Sequence, residues 1–503
     1  MKRIFWHLLA AFAAGFCLRL FFVLKFPASS GDTVLYEQMA VNWLKHGVYA
    51  MDVNGAIQPV DLRMPGYPAY LVLVYWLTSK TAAAAYFWVM LGQVFVDLLS
   101  IFFIVWLAGL LLLLGDKHAR QMRALIAATW LAALCPFTAN YTAVPLTESF
   151  AVALTAIALV TLTGLCGSIH DLLFPAKRQP WEPKNEYWHW AAPLGFVVGI
   201  GTLFRPETPL LLLAAWIGTA FQLLRRGKSL VWIRIVAYSG FACVLPLLPW
   251  AARNAVTLHE IQFLAPKNSN LPGELVPSGF MAWEKTWLFR MRDCYLAPWK
   301  LNGEAIEVDQ LPARAFDSPE EKERVAMILD RYNEELALTK EEDDAFAQVA
   351  RERTARHPLR TYVLLPALRA VTMWFAPRIE LLPVSGTVFP LAQAWEDDKL
   401  DQSVTAGLFL INIFYVGLGA YGAIKLWRWG AASRAAVLII VLFVAMRTAF
   451  LTTLETPEPR YVLECFPAVI ALGAAGLAGR KYEEKESEAG IGVSGLQTAR
   501  DES

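Results

Sequence analysis

The sequence has little charge for its length, and what it has is balanced. Only 18% of the 503 residues are Asp, Glu, Lys or Arg, and the formal net charge is +1. A near-neutral chain lacks the basic surface that nucleic acid demands, so a nucleic-acid partner is excluded. The sequence also lacks CxxC, HExxH and DxD spacings, which leaves no metal-ligand signature to build on. Of the six cysteines, Cys17, Cys135, Cys166, Cys243 and Cys465 fall inside apolar runs, and Cys294 alone sits in a long polar region. A disulfide framework is therefore not expected. No internal repeat is evident.

What the chain has instead is apolar length. Hydrophobic residues make up 56% and the mean hydropathy is +0.40, beyond what a soluble chain of this size carries. Runs able to cross about 30 Å of hydrocarbon occur at roughly 5–26, 84–114, 124–142, 146–166, 189–204, 206–224, 233–251, 403–425, 435–454 and 461–479. The expected fold is all-α and integral to the membrane, a polytopic bundle of about ten helices (range about 9–13) with interfacial helices. The fifth and sixth runs are short and meet at Arg205-Pro206, a tight re-entry. The first reads as a retained anchor, because no small-residue cleavage site precedes Phe26-Pro27.

Basic residues set the orientation. Lys117, Arg120 and Arg123, then Lys177, Arg178 and Lys184, then Arg225, Arg226, Lys228 and Arg234, then Lys425, Arg428 and Arg434, and finally Arg480 and Lys481 cluster in alternate loops. Both termini are expected in the cytoplasm, and the long loops at about 27–83 and 252–402 outside. Residues 359–378 are apolar enough to rival a span. Arg360, Arg369, Arg378 and the internal Pro366 suit a helix in the interface better. The expected division is an N-terminal transmembrane module over 1–251 that includes the first outer loop, an extracytoplasmic loop over 252–402, C-terminal hairpins over 403–479, and a disordered acidic tail over 480–503.

The second outer loop carries capping signals. Ser318-Pro319-Glu320-Glu321 and Thr339 with Glu342 each open a helix with one apolar face, predicting a small helical subdomain. In the first loop, Leu35, Tyr36, Met39, Ala40 and Trp43 share a helical face behind Gly31-Asp32. Arg63-Met64-Pro65-Gly66-Tyr67-Pro68 then turns into an apolar helix too short to span. The loop folds back on the membrane and carries Asp32 with it, either as a helix N-cap or as a working acid.

Further polar residues sit where spans meet the outer face: Glu148, Arg205, Arg253, Asn254, Arg460 and Tyr461, with Arg447 about two turns inside. Each arginine alone could snorkel to headgroups, and Arg447 could pair with Glu455 or Glu148. Together, acids and arginines from separate hairpins meeting at one face suit an anionic, membrane-embedded substrate.

These pieces in this order resemble the C-type-fold (GT-C) membrane glycosyltransferases. The bacterial branch of family 39, akin to protein O-mannosyltransferases and aminoarabinose transferases, is nearest. The resemblance rests on Arg19, Asp32-x3-Tyr36-x3-Ala40, Gly47-x-Tyr49, Pro65-Gly66-Tyr67-Pro68, Leu146-Thr147-Glu148, Phe204-Arg205-Pro206, Pro249-Trp250-x2-Arg253-Asn254 and Pro459-Arg460-Tyr461. It implies transfer of a sugar from a polyprenyl-phosphate donor to a lipid, glycan or protein acceptor outside the cytoplasmic (inner) membrane. Asp32 matches the family's base. Arg253, Arg205 and Arg460, in that order and with Arg447 behind them, would hold the lipid phosphate. Glu148 would bind sugar hydroxyls or orient an arginine, and Tyr36, Tyr67 and Tyr461 would line the substrate. Thr33 stands where eukaryotic relatives have a second acid, and no β-trefoil pattern occurs in 252–402. A divalent metal is not expected. A flippase or transporter of lipid-linked saccharide, without transferase activity, is the alternative.

Overall fold

The computed structural model describes residues 2–115, 121–175, 186–388 apart from 267, 269 and 272, and 398–478. Lys117, Arg120, Lys177, Arg178, Lys184, Arg480 and Lys481, together with the acidic tail, lie outside these residues.

Apolar periodicity becomes helix throughout the bundle. The chain runs through α1 (Lys2–Lys25), a loop helix α2 (Gly31–His46), a short helix α3 (Gly66–Thr78), then α4 (Tyr86–Gly115), α5 (Gln121–Ala133), the single-turn α6 (Pro136–Asn140) and α7 (Glu148–Leu173). It continues through α8 (Trp188–Thr202), α9 (Pro209–Leu223), α10 (Ser229–Val244) and α11 (Leu248–Thr257). Among the described residues, seven helical segments are long and apolar enough to cross a membrane: 5–25, 82–115, 121–143, 148–173, 229–257, 399–427 and 431–451. The other three expected spans are shorter helices. Two of these are α8 and α9. Prolines at 206 and 209 interrupt the chain between them, so that α9 restarts with Pro209 in its first turn.

The third differs from expectation. Arg460 and Tyr461 do not open an α-helix but lie in a 3-10 turn, Pro459–Cys465. Pro467, in the first turn of the following helix, sets where the α conformation begins.

The second long loop forms the expected helical subdomain: α12 (Ser278–Glu284), α13 (Met291–Cys294), α14 (Pro319–Glu335) and α15 (Lys340–Arg356). It has its own core of Phe280, Trp283, Trp287, Val325, Leu329, Tyr332 and Phe346. Thr339 and Glu342 form the full capping box. At Ser318 only half of it forms: the hydroxyl accepts from the Glu321 N–H at 3.2 Å. The Glu321 carboxylate instead accepts from the Asp317 N–H, one residue earlier, at 3.2 Å and pairs with Arg353 and Arg356, charge-assisted partners that fix where it points.

α16 (Leu365–Trp374) follows, then α17 (Lys399–Trp427), α18 (Ala431–Leu451) and α19 (Phe466–Gly476). Arg360 pairs with Asp317 of the subdomain at 2.7 Å, while Trp374 donates to Thr448 near the C-terminus of α18 at 3.0 Å. Both ends of the 360–374 stretch thus lie at one end of the bundle. Arg369, between them, donates to the carbonyls of Leu288, Thr452 and Lys285, and Leu359, Tyr362, Val363 and Leu364 are exposed on the other side.

The first loop adds an element that the sequence reading passed over, an antiparallel hairpin of β1 (Ala50–Val53) and β2 (Ala56–Pro59). Its turn is Asn54-Gly55, both with positive φ (54° and 80°). That dipeptide between apolar residues is the strongest short hairpin signal.

Two features position the site. α7 is the most enclosed long helix, with 78% of its apolar stretch buried, so Glu148 at its first position sits at the bundle's centre. Close packing brings α17 onto α19: a Cβ on Gly422 would lie 1.9 Å from the Leu472 carbonyl oxygen, the small-residue contact by which helices approach in lipid. The α17–α18 turn and the end of α19 share the opposite end of the bundle, where Lys425 donates to the Gly476 and Ala478 carbonyls.

Candidate active site

Ser30, not Asp32, caps α2. Its hydroxyl accepts from the Thr33 N–H and the Thr33 hydroxyl returns to the Ser30 N–H at 3.1 Å. The capping reading of Asp32 is thereby corrected: a capping box already satisfies the helix start, which frees the neighbouring carboxylate. The Thr33 hydroxyl also donates to the Pro145 carbonyl at 3.1 Å. That bond ties the start of α2 to the turn that leads into Glu148.

Asp32 is held between two arginines. Its Oδ1 accepts from Arg63 Nη2 at 2.8 Å and its Oδ2 from Arg460 Nη2 at 2.9 Å. Burial pushes its carboxyl up, but the Arg460 and Arg63 guanidiniums outweigh burial and hold it well below the ordinary carboxylate value. Arg460 is steadied from behind by Glu458, Nε to Oε2 at 2.7 Å, and lies 3.6 Å from Glu148. The Tyr461 hydroxyl donates to the other Glu458 oxygen at 2.7 Å.

From there a row of charges runs inward. Glu148 Oε1 takes Arg205 Nη2 at 2.6 Å, Arg205 Nε lies 3.5 Å from Glu464, and Glu464 takes Arg447 Nη2 at 2.6 Å. Arg447 also meets Glu207 at 3.2 Å and donates to the Tyr461 carbonyl. Side-chain exposure falls along the row, from 26% at Asp32 and 23% at Arg63 through 12% at Arg460 and 14% at Arg205 to none at Arg447. Asp32, Arg63, Arg460 and Arg205 each keep part of their side chain exposed. Arg447 can act only through its neighbours.

The expected partners of Arg447, Glu455 or Glu148, are corrected to Glu464 and Glu207. Glu455 instead pairs with Lys285 at 2.6 Å. The reason lies in the 3-10 turn, which swings Glu464 inward toward α18.

Arg253 stands apart from the row. Its guanidinium donates to the carbonyls of Val60 (2.9 Å) and Tyr49 (2.5 Å) and to Asn254 Oδ1 (2.9 Å), above the rings of Tyr49 and Trp250. It latches the hairpin to α11 and, among the described residues, shares no partner with Asp32 or Glu148.

The aromatic wall is assembled nearby. The Tyr36 ring meets Tyr67 edge-on at 5.1 Å, and the Tyr67 hydroxyl donates to Gln93 at 2.5 Å. Gly66 N–H donates to the Leu203 carbonyl at 2.7 Å, and a Cβ there would lie 2.5 Å from that oxygen. Only glycine lets α3 reach the turn that bears Arg205. Oε2 of Glu148 is buried with no hydrogen-bond partner among the described residues, a strong acceptor held close to two guanidiniums.

Sequence reasoning missed Arg63, Glu207, Glu458 and Glu464 as members of the site. Each carried a faint signal. The three acids stand two or four residues from an arginine already singled out, and Arg63 opens the turn into α3.

Fold and site together define a polytopic helical membrane protein with an ionic site at the end of its bundle that carries both long loops. No protein-family model matches the chain, and no curated protein matches it. Among solved structures it is similar to the oligosaccharyltransferase AglB of Archaeoglobus fulgidus in complex with an inhibitory peptide and a dolichol-phosphate. That likeness has 14% identity and a TM-score of 0.45, over 94% of this chain and 50% of that one. It is also similar to ArnT of Cupriavidus metallidurans bound to undecaprenyl phosphate, with 13% identity and a TM-score of 0.40, over 93% of this chain and 77% of that one. The chain thus spans about half the length of the archaeal enzyme.

Proposed function

We propose that this chain is a GT-C-type glycosyltransferase of the inner membrane. In this reading it moves a hexosyl or pentosyl group from a polyprenyl-phosphate donor to a lipid, glycan or protein acceptor at the outer face. The observation that carries the reading is Asp32 held between Arg63 and Arg460 at the accessible end of a buried ionic row. A carboxylate beside two guanidiniums is the pairing that displacement of a lipid phosphate requires.

The acceptor oxygen attacks the anomeric carbon and its proton passes to Asp32. The bond from that carbon to the phosphate oxygen breaks, and the lipid phosphate leaves with the electron pair. Arg63, Arg460 and Arg205 would receive its charge through paired N–H donors. Glu148 would hold Arg205 and Arg460 in place, and Tyr36 would face the sugar. Three guanidiniums, Arg63, Arg460 and Arg205, would meet the leaving phosphate in place of a divalent metal, so turnover is expected to survive EDTA.

The test uses purified full-length protein in nanodiscs with a radiolabelled polyprenyl-phosphate sugar fraction extracted from membranes. Label should pass to an acceptor with wild type. With Asp32→Asn the rate should fall by roughly 10²–10⁴, the usual worth of positioned proton transfer, while undecaprenyl phosphate still binds. Label that crosses the bilayer on its lipid without transfer would sink the transferase reading in favour of a translocator. Near-normal turnover in folded Asp32→Asn would move the base to Glu148.

A further inference from the structure

We infer that Arg378 is a positioning residue for Arg460, acting through the peptide that joins Pro459 to it; this rests on the reading of Arg460 as a phosphate ligand. Arg378 lies in the irregular segment after α16, with only 3% of its surface exposed. Its φ is +57°, in the left-handed region that costs a side-chain-bearing residue backbone energy. Such a conformation persists where the surroundings over-determine it. Here the side chain does so. Nη1 donates to the Pro459 carbonyl at 2.5 Å, Nη2 to the Met373 carbonyl at 3.2 Å, and Nε lies 3.4 Å from Asn412 Oδ1. Asn412 in turn donates to the Trp374 and Ala376 carbonyls at 2.6 and 3.0 Å. The guanidinium also sits over the rings of Phe466 (5.0 Å) and Phe137 (5.7 Å).

Among the described residues no carboxylate lies within ion-pairing distance of Arg378, and Glu380, two residues on, acts on it only through space. Its guanidinium is therefore hydrogen-bonded by oriented carbonyl and amide oxygens alone, a costly arrangement if its only purpose were to fill space. What it fixes is specific. The Pro459 carbonyl belongs to the peptide immediately before Arg460, so its fork sets where that guanidinium starts. Glu458 then sets where it points. Arg378 thereby couples the second long loop to the phosphate-facing arginine of the last hairpin.

The test is a double-mutant cycle on undecaprenyl phosphate binding by the purified full chain. Arg378→Gln and Arg460→Gln are each expected to weaken binding roughly tenfold, and the double variant no more than about Arg460→Gln alone, the signature of residues acting as one unit. Arg378→Lys, with the charge but not the fork, should regain part of the loss. Arg378→Gly relieves the positive φ, which offsets part of the packing it removes; it should lose affinity as Gln does, and it replaces Gln in the cycle should that variant not fold. Losses that multiply in the double variant overturn the inference, as does wild-type affinity in Arg378→Gly. Wild-type affinity in Arg460→Gln has a different meaning: the phosphate reading of the site falls, and this inference with it.

Discussion

At the scale of single residues, Asp32 poses a chemical question. A base clamped by two guanidiniums has a carboxyl held far below its ordinary value and is a weak proton acceptor in the empty site. A lipid phosphate competing for Arg63 and Arg460 would draw them off and leave the carboxylate more basic. Two outcomes follow. Asp32→Asn removes the competing anion, so the variant should bind undecaprenyl phosphate several-fold more tightly than wild type even as turnover collapses; weaker binding would mean that Asp32 chiefly holds the arginines in place. The second concerns pH. Because the free-enzyme carboxyl is depressed, Asp32 stays ionised above about pH 4, so kcat/KM should show no acidic limb from it between pH 8 and 5. The stability it contributes runs the same way: present above its unfolded value near 4 and lost as pH falls through the lower folded one. An acidic limb near pH 6 that disappears in Asp32→Asn would show the clamp to be open in solution.

Elements explain what the sequence could and could not reveal. The capping box at Thr339, the break at Arg205-Pro206 and the fold-back of the first loop are local patterns, and each was legible because a few neighbouring residues determine it. The partners of Asp32 were not. Arg63 lies 31 residues away and Arg460 lies 428 away, and no periodicity reports contacts of that reach. Arg253 was the opposite case. Its place at the end of an apolar helix suggested a phosphate ligand, but an unforeseen hairpin offered it carbonyls. Its expected phenotype changes accordingly. Arg253→Ala should cost about 1.5–3 kcal/mol of stability, the worth of hydrogen bonds to a charged group, and expose residues 50–59 to limited proteolysis. Its loss of undecaprenyl phosphate affinity should be smaller than that of Arg460→Gln, and Arg253→Lys should restore only part of the protection. A variant with intact protease resistance but abolished lipid binding would put Arg253 back among the phosphate ligands.

At the scale of the whole molecule, the two long loops, the ionic row and the 360–374 stretch gather at one end of the bundle, and the short basic turns at Arg225–Lys228 and Lys425–Arg434 at the other. The division has an electrostatic and a chemical side. Lys and Arg in short loops are retained in the cytoplasm, and the row of buried ion pairs lies where the first loop folds back over the bundle and shields it. The loop-bearing end should therefore face away from the cytoplasm. Reporters fused after residues 55 and 330 should read as external, and those after 228 and 430 as cytoplasmic. Residue 380 supplies the sharpest check, because it follows the 360–374 stretch whose two ends both touch the loop-bearing side. A reporter there should agree with 330. A cytoplasmic reading at 380 with an external one at 330 would instead make that stretch a crossing helix and reverse every segment after it. Arg460 would then lie on the opposite side of the membrane from Asp32, and the 2.9 Å contact between them, with the site built on it, could not exist.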